Sequence, residues 1–599
     1  MVIIDIKAIK KELEALPLGS IVERTSNGVV RYSHQWRKGG KTHSYCLRPE
    51  DVPSLREKIE RRKALQRILK ENAASARAEA EYFTQVTTGD ELKTWMRQAL
   101  GLEKRDAFPS LVRFLSGVRE SRVFILYGLR RTGKTTMLQQ AVASLPVDEF
   151  DRAAYVQVTG SDTMADVNAD LEKLRGAGCR YVFIDEITMM EDFIDGAALL
   201  ADIHAPLGLK IVLSGTDSLG FWFSLGDALY DRAYVMHTTY IPFREYARLL
   251  RLEDVDDYIR YGGMLRPGAP LRDENGVETE DTSFRSEEAL RRYVDTAIAR
   301  NIQHALATYA DGTRFLELRP LFEAGELTGA INRVIEDVNH RFLLSVLERD
   351  FKSHDLGVAA RNLRNERDAS HRLELRDVVS FATVTEALKS VLEIRDRAER
   401  TIQVTTGQVA ELRRYLRALD LIVEVPLRHV TDDGRIIEDE LTLISQPGMR
   451  WCQVEALVDA MMRDKVFAAV SEIDRKYITG RIKDEVRGRM LEELVLLENI
   501  KCGRTAYKLQ FDAGEIDMVT ADEESGKLEL FEIKHSSERE DGQFRHLVDE
   551  RKLGLVRSRL GEIASRTVLY RGENVDLPNG IRFRNVNAYL ITLGRGVGK

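Results

Sequence analysis

The residues with the clearest chemistry lie in Gly128-Leu-Arg-Arg-Thr-Gly-Lys-Thr-Thr136. Two glycines bracket four residues, and a Lys-Thr pair follows at once. Gly128 and Gly133 permit a tight turn that brings backbone N–H groups against phosphate oxygens. Lys134 supplies positive charge for β- and γ-phosphates, and the Thr135 hydroxyl can ligate Mg²⁺. Arg131, Thr132 and Thr136 line the same loop. A second stretch, Tyr181-Val-Phe-Ile-Asp-Glu186, is an apolar run ending in two acids. Asp185 would hold Mg²⁺ directly or through water, and Glu186 would polarise the attacking water. A glycine turn with an incidental lysine would explain the first stretch alone, but not the pair. Together they predict a site for ATP and Mg²⁺, and Glu186 argues for hydrolysis.

These groups need rigid elements behind them. The loop follows the apolar run Arg122–Tyr127 and opens into a helical stretch at 137–144, so a strand and a helix hold it, the helix N-terminus adding its dipole. Ala153–Thr159 and Leu209–Thr216 read as further buried strands, and Ser161 reads as the N-cap of a helix to Leu174. Another helix is expected near Asp192–Ile203. Apolar strands alternating with helices predict a doubly wound parallel sheet. Ser214 or Thr216 stands where a γ-phosphate sensor is expected, Ser214 being the chosen candidate. These segments, with Asp231-Arg-Ala and Ile241-Pro-Phe-Arg-Glu-Tyr246, resemble the archaeal-type ATPases of the AAA+ class. The resemblance implies that Arg232 contacts phosphate, in its own subunit or from a neighbour in a homo-oligomer. The chain departs from the family in Gly-Thr-Asp-Ser at 215–218, where Gly-Ser-Ser-Ser is common, and in placing Pro242 directly before Phe243.

A second constellation lies near the end of the sequence. Gly488-Arg-Met-Leu-Glu492 is expected to open a helix to about Leu497. Ala506–Phe511, Glu515–Val519 and Leu528–Lys534 read as strands. The arrangement resembles the PD-(D/E)XK nuclease core, with Asp517 and the Glu532-x-Lys534 pair in its defining positions. Alternation puts Glu532 and Lys534 on one strand face. The resemblance implies that Asp517, Glu532 and Glu492 hold Mg²⁺ or Mn²⁺ and that Lys534 activates water and stabilises charge on the phosphate. A hairpin with exposed acids, or a nuclease fold without activity, remains open at this stage.

The remaining sequence frames these two sites. Residues 1–75 read as a small module of three strands and a charged helix from Val52 to about Asn72, with turns at Asn27-Gly28 and Gly39-Gly40. Lys and Arg outnumber acids there. Arg31, Arg37, Lys38 and Lys41 are interleaved with Tyr32, Trp36 and Tyr45, a pattern that could grip nucleic acid or simply form a solvated sheet. It loosely resembles the β-sheet DNA-binding modules of some integrases and transposases. Residues 76–107 read as a helical connector, 108–250 as the ATPase core, 251–450 as a helical and winged-helix region, and 451–599 as the nuclease-like domain. The winged helix rests on helices Asp377–Leu392 and Thr406–Leu419 followed by two strands, with Arg413, Arg414 and Arg417 facing a phosphate backbone. Pro267–Thr282 reads as a loop.

The fold class expected is therefore multidomain α/β. A net charge of −7 does not by itself call for nucleic acid. Cys46, Cys179, Cys452 and Cys502 show no paired spacing, and the histidines no ligand spacing, which argues against a disulfide framework or a zinc ribbon. No signal-like segment or apolar run of about eighteen residues is present, so a cytoplasmic protein without a membrane span is expected. The function expected is ATP hydrolysis coupled to a nuclease-like domain acting on DNA, which would fit defence against foreign DNA. The alternative is an ATP-driven switch or remodelling protein whose C-terminal domain only binds DNA or a protein partner.

Overall fold

The structure, a computed structural model, describes residues 12–13, 16–26, 29–38, 41–79, 82–118, 121–226, 228–265, 284, 286–309, 314–350, 404–463, 472–522 and 525–594. The expected loop Pro267–Thr282 and helix Asp377–Leu392 lie outside them, as do the two turns at Asn27-Gly28 and Gly39-Gly40. The chain forms two compact units, Met1–Gln85 and Val86–Lys599.

In the first unit β1 (Ser20–Ser26), β2 (Val29–Lys38) and β3 (Lys41–Leu47) pair antiparallel in chain order. Helix α1 (Val52–Glu79) follows and runs past the expected end near Asn72. On one face of the sheet the cross-strand pair Trp36↔His43 stacks its rings, His34↔Tyr45 meets edge-on, and His34 also stacks on Trp36. The side chains of Arg37, Lys38 and Lys41 lie outside the description.

The second unit opens with β4 (Gln85–Thr87) and α2 (Gly89–Arg97). These residues, read from sequence as a helical connector, are part of the ATPase sheet. That sheet has the order β4-β6-β7-β8-β5-β9. Its central members are β5 (Val123–Tyr127), β6 (Ala153–Gln157), β7 (Tyr181–Asp185), β8 (Lys210–Gly215) and β9 (Ala233–His237), and these five run parallel. β5, β7 and β8 are buried along their whole length, as uninterrupted apolar runs require. Their carboxyl ends therefore share one edge, the edge at which doubly wound sheets bind ligands. Helix α3 (Lys134–Ala143) starts directly after Gly133, whose φ of 84° needs a glycine. Helix α4 (Met164–Gly176) is capped by Thr163 through a reciprocal box with Asp166, not by Ser161, which bonds Thr159. The helix expected near Asp192–Ile203 is broken into Phe193–Gly196 and a wide turn at Leu200–His204. Beyond β8 come α5 (Ser218–Leu225), α6 (Phe243–Leu250), α7 (Val255–Tyr261), α8 (Arg300–Tyr309) and α9 (Leu327–Asp350).

The C-terminal sheet contains eight strands in the order β11-β10-β12-β13-β14-β15-β17-β16, the last two in chain order being β16 (Val575–Asp576) and β17 (Ile581–Asn585). Helix α10 (Thr406–Ala418) leads into β10 (Ile422–Val430) and β11 (Ile436–Ile444). The sequence suggested the two-stranded wing of a winged helix here. The two strands do pair antiparallel, and β10 also pairs in parallel with β12 (Thr505–Phe511) from Leu427↔Lys508 onward, so the hairpin forms one edge of this sheet. Local alternation reveals a hairpin but not which distant strand satisfies its open edge. Two of the three arginines of α10 are also engaged: Arg414 bonds Glu411 and Arg417 bonds Glu424. Helix α11 (Glu472–Lys501) is far longer than the expected stretch from Gly488. β13 (Glu515–Ala521) and β14 (Leu528–Ile533) follow antiparallel, then α12 (Glu550–Arg559) and β15 (Ile563–Tyr570), which lies parallel to β14. Phe243, Tyr246 and Tyr258 from the ATPase side and Trp451, Leu491 and Val495 from the C-terminal side fill a single core. At about 2 kcal/mol for each buried large apolar side chain, this core joins the two sheets firmly.

Candidate functional sites

The phosphate loop stands at the carboxyl edge of the ATPase sheet, directly after Tyr127. Its shape is braced from two sides. The Thr239 hydroxyl accepts from Leu129 N (3.0 Å), and Thr132 Oγ1 meets Thr238 Oγ1 (3.0 Å). A side chain at Gly128 would collide with Thr238 and Thr239, and one at Gly133 with Leu265. Arg105 is almost fully buried, donates to the Thr132 carbonyl and pairs with Glu245 at 2.5 Å. That buried pair explains why Ile241-Pro-Phe-Arg-Glu245 matters to the loop, and Arg105 itself fell in the supposed connector.

Lys134 donates to the carbonyls of Gly128 (2.7 Å) and Leu129 (2.9 Å). Burial pushes its pKa down to about 8, against the attraction of Glu186 and Asp185. Thr135 Oγ1 donates to Asp185 Oδ2 at 2.9 Å, and the Tyr155 hydroxyl reaches the same oxygen at 3.3 Å. A hydroxyl and a carboxylate so juxtaposed fit a hard divalent cation. Arg131 and Glu186 both adopt left-handed backbone, φ 66° and 58°. Glu186 Oε2 accepts from the backbone N (3.1 Å) and hydroxyl (2.8 Å) of Thr216. Of the two sensor candidates, Thr216 is thus bonded to Glu186, while the Ser214 hydroxyl is buried without a hydrogen-bond partner among the described residues. The Thr216 carbonyl is held in turn by Asn301 of α8 at 2.6 Å.

Arg232 stands elsewhere. Its carbonyl accepts from Val123 N at the start of β5, and its guanidinium bonds Asp202 at 2.7 Å. β9 is in register with β5, Val123↔Ala233 through Tyr127↔His237. The phosphate loop therefore lies about 13 Å away along the strands, at the opposite edge of the sheet. Contact with phosphate in the same subunit is ruled out by that placement.

The second constellation forms where α11 crosses β12–β14. Oxygens of Glu492, Glu515 and Asp517 lie within 4.8 Å of one another. Glu515 is two residues from Asp517 on the same face of β13; that alternation was visible in the sequence, but Glu515 was not among the expected ligands. Glu532 lies outside this trio. Its Oε2 bonds Lys534 Nζ at 2.7 Å, and Lys534 also reaches Asp517 Oδ2 at 2.9 Å. Glu532 Oε1 is buried without a hydrogen-bond partner among the described residues. Lys508 bonds Glu515 (3.0 Å) and Glu492 (3.3 Å), and Arg489 bonds the same two carboxylates. Three cations thus stand among four acids.

The electrostatics follow from that packing. Burial and then Asp517 push the Glu532 carboxyl well above its ordinary range, and the same two causes raise Glu492. Burial opposes ionisation of Asp517 as well, but Lys534, Lys508 and the Ile533 N–H outweigh it and keep the pKa low. Glu515 is likewise held low by Lys508 and Arg489 despite burial. Lys534 is raised, its burial outweighed by Asp517 and Glu532. An all-oxygen donor set with one orphaned buried oxygen suits Mg²⁺ or Mn²⁺ rather than a softer metal.

Comparison with known proteins bears on the first site. A family described as an AAA domain matches residues 120–247, which include the loop, Asp185, Glu186 and Arg232. Hsp104 of S. cerevisiae in complex with casein aligns at 16% identity over 50% of this chain and 51% of that one, with a TM-score of 0.24. ORC1 of Aeropyrum pernix in complex with DNA aligns at 15% identity over 63% and 94%, with a TM-score of 0.21. Cdc6p of Pyrobaculum aerophilum aligns at 12% over 64% and 100%, with a TM-score of 0.23. The chain spans about half the length of the Hsp104 chains it matches. No curated protein sequence matches it. No helix among the described residues is long and apolar enough to cross a membrane.

Proposed function

We propose that this chain, which carries an AAA-family ATPase domain, uses its nucleotide state to govern a divalent-metal site on the C-terminal sheet that hydrolyses phosphodiester bonds in DNA. The observation that carries the coupling is α11. It bears Glu492 at the carboxylate cluster and, less than two turns on, Glu498. Glu498 Oε1 accepts from the Tyr240 hydroxyl (2.7 Å) and from Phe243 N (2.7 Å), at the start of α6. Lys501, at the end of the same helix, pairs with Asp420. Burial, with Asp420 as the second cause, pushes the hydroxyl of Tyr127 up to about 12, and Tyr127 immediately precedes the phosphate loop. A second bridge runs from His535, next to Lys534, to Asp256 of α7 at 2.6 Å.

In this reading Asp517, Glu492 and Glu515 would hold Mg²⁺ or Mn²⁺, with Glu532 beside them, and the bound cation would acidify water and neutralise phosphate charge. Lys534 would stabilise the charge that grows on the phosphate. Asp517→Ala should eliminate metal binding, read by calorimetry, and DNA cleavage. Lys534→Ala should retain metal and cleave about a hundredfold more slowly. Full-length protein with no calorimetric Mg²⁺ or Mn²⁺ signal dependent on Asp517 would overturn this assignment. One observation favours a second reading, a switch whose C-terminal domain binds without cutting: Arg489, Lys508 and Lys534 already engage the carboxylates that a metal would need.

A further inference from the structure

The first unit carries a ring cluster that neither chemical site uses, and from it we infer a separate binding site: a platform on the β1–β3 sheet that stacks the unpaired bases of a single nucleic-acid strand. Trp36 stacks on His34 with ring centres 5.0 Å apart and on His43 at 5.3 Å, the planes 26° and 18° from parallel. Tyr45 meets His34 and Trp36 edge-on at 5.3 and 5.8 Å. His34 anchors the set. It is 5% exposed, and its Nε2 donates to the Leu18 carbonyl at 2.6 Å, which fixes the ring. Elsewhere the set is open: His43 is exposed, and so is Tyr45, at 48%. Cross-strand stacking stabilises a sheet by itself. It does not call for rings left open to solvent among charges of one sign.

That sign is positive. Residues 20–48 contain six Lys or Arg and one acid, Glu23. Glu23 is in register with Tyr32, four residues along β2 from Trp36. Lys38 is in register with Lys41 at the end of the β2–β3 pairing. Strand alternation puts both positions on the face that carries Trp36 and His43. Open rings beside positive charge match an unpaired strand, whose bases offer flat π-faces and whose phosphates each carry a negative charge. In a duplex the neighbouring base pairs cover those faces, so the rings have nothing to stack on. Because His34 fixes the set, the platform has little freedom to lose when a base settles on it. It needs neither metal nor ATP, since all its residues lie within Met1–Gln85.

Full-length protein in EDTA, without ATP, is titrated by fluorescence anisotropy with labelled probes of one length: oligodeoxythymidine, oligouridine, an abasic strand with the same phosphates, and a blunt duplex. At least one base-bearing strand should bind about tenfold or more tightly than the abasic strand, the scale of one stacked base, and more tightly than the duplex. His43→Ala combined with Tyr45→Ala should lower base-bearing strands to the abasic level and leave abasic binding unchanged, which also reports that the sheet still folds. His43→Phe keeps a ring and should keep the preference. A strand carrying 4-thiothymidine, photocrosslinked to the parent protein, should map to residues 36–45, a readout that needs no variant to fold. Equal affinity for base-bearing and abasic strands overturns the inference, as does duplex binding as tight as the strand or no binding at all. Strand binding that survives the double alanine change and crosslinks to the C-terminal sheet overturns it too, while leaving the reading of that sheet's carboxylate site intact.

Discussion

At the scale of single residues, the ATP site separates binding from turnover. Lys134 is buried among loop carbonyls, where its charge has little water to serve it. Glu186 bonds Thr216 at the neighbouring strand end. The two side chains should therefore fail differently. Lys134→Ala should abolish measurable ATP binding, because it removes the ammonium that the loop buries against its own carbonyls, where the β- and γ-phosphates would lie. Glu186→Gln keeps the shape and should keep nucleotide affinity, but lose turnover by about a hundredfold or more, since only the carboxylate can take the proton of water. Nucleotide titration and phosphate release on the two variants decide this; parent-rate hydrolysis by Glu186→Gln would remove Glu186 from the reaction. The loop and the Asp185-Glu186 strand end were legible in the sequence because their chemistry is contiguous. The bond from Thr216 to Glu186 was not, since it depends on where the side chain of Glu186 reaches in the folded sheet.

At the scale of elements, α11 is the member through which the two sheets meet. Its Glu498 is nearly inaccessible, and burial raises its pKa from 4.5 to about 7 despite the bonds from Tyr240 and Phe243 N. The sign follows from linkage. Between pH 4.5 and about 7 the folded protein binds a proton here that the unfolded chain has released, so stability falls as pH rises through that window. Full ionisation costs roughly 3 kcal/mol on this account. Both native bonds reach one oxygen, Oε1, which a glutamine can still present. Glu498→Gln should therefore match the parent protein near pH 5 and become more stable than it by up to roughly 3 kcal/mol above pH 7. Denaturant unfolding across that range tests it, and a stability difference independent of pH would refute the buried-charge account. Periodicity placed part of α11 but not its length or its partners. Glu498 lay just beyond the expected end of that helix near Leu497, and burial by an element more than two hundred residues earlier leaves no local trace. The two strands of the β10–β11 hairpin were legible, but the sheet they join was not, for the same reason: Leu427 gains its neighbour Lys508 only in the folded sheet.

At the scale of the whole molecule, Arg232 raises the question of subunits. It stands at the edge of the ATPase sheet away from the phosphate loop, with 39% of its side chain exposed and its guanidinium on Asp202. An arginine there cannot serve its own nucleotide, yet a neighbouring subunit packed against that edge could receive it. Such an arginine stabilises the charge on the transferring phosphate and is worth orders of magnitude in rate when supplied from outside. Two consequences follow if it does so. Hydrolysis per protomer should rise with protein concentration, because the site is completed only by association. Arg232→Ala and Lys134→Ala proteins should each be inactive, while their mixture regains part of the parent rate: at some interfaces an intact loop from the first then faces an intact arginine from the second. The Asp202 pair, being exposed, is worth about 1 kcal/mol at most and would yield readily to a phosphate. A rate per protomer that stays flat across a wide concentration range, together with no recovery on mixing, would leave Arg232 with the Asp202 pair as its whole role and make the ATPase domain self-sufficient.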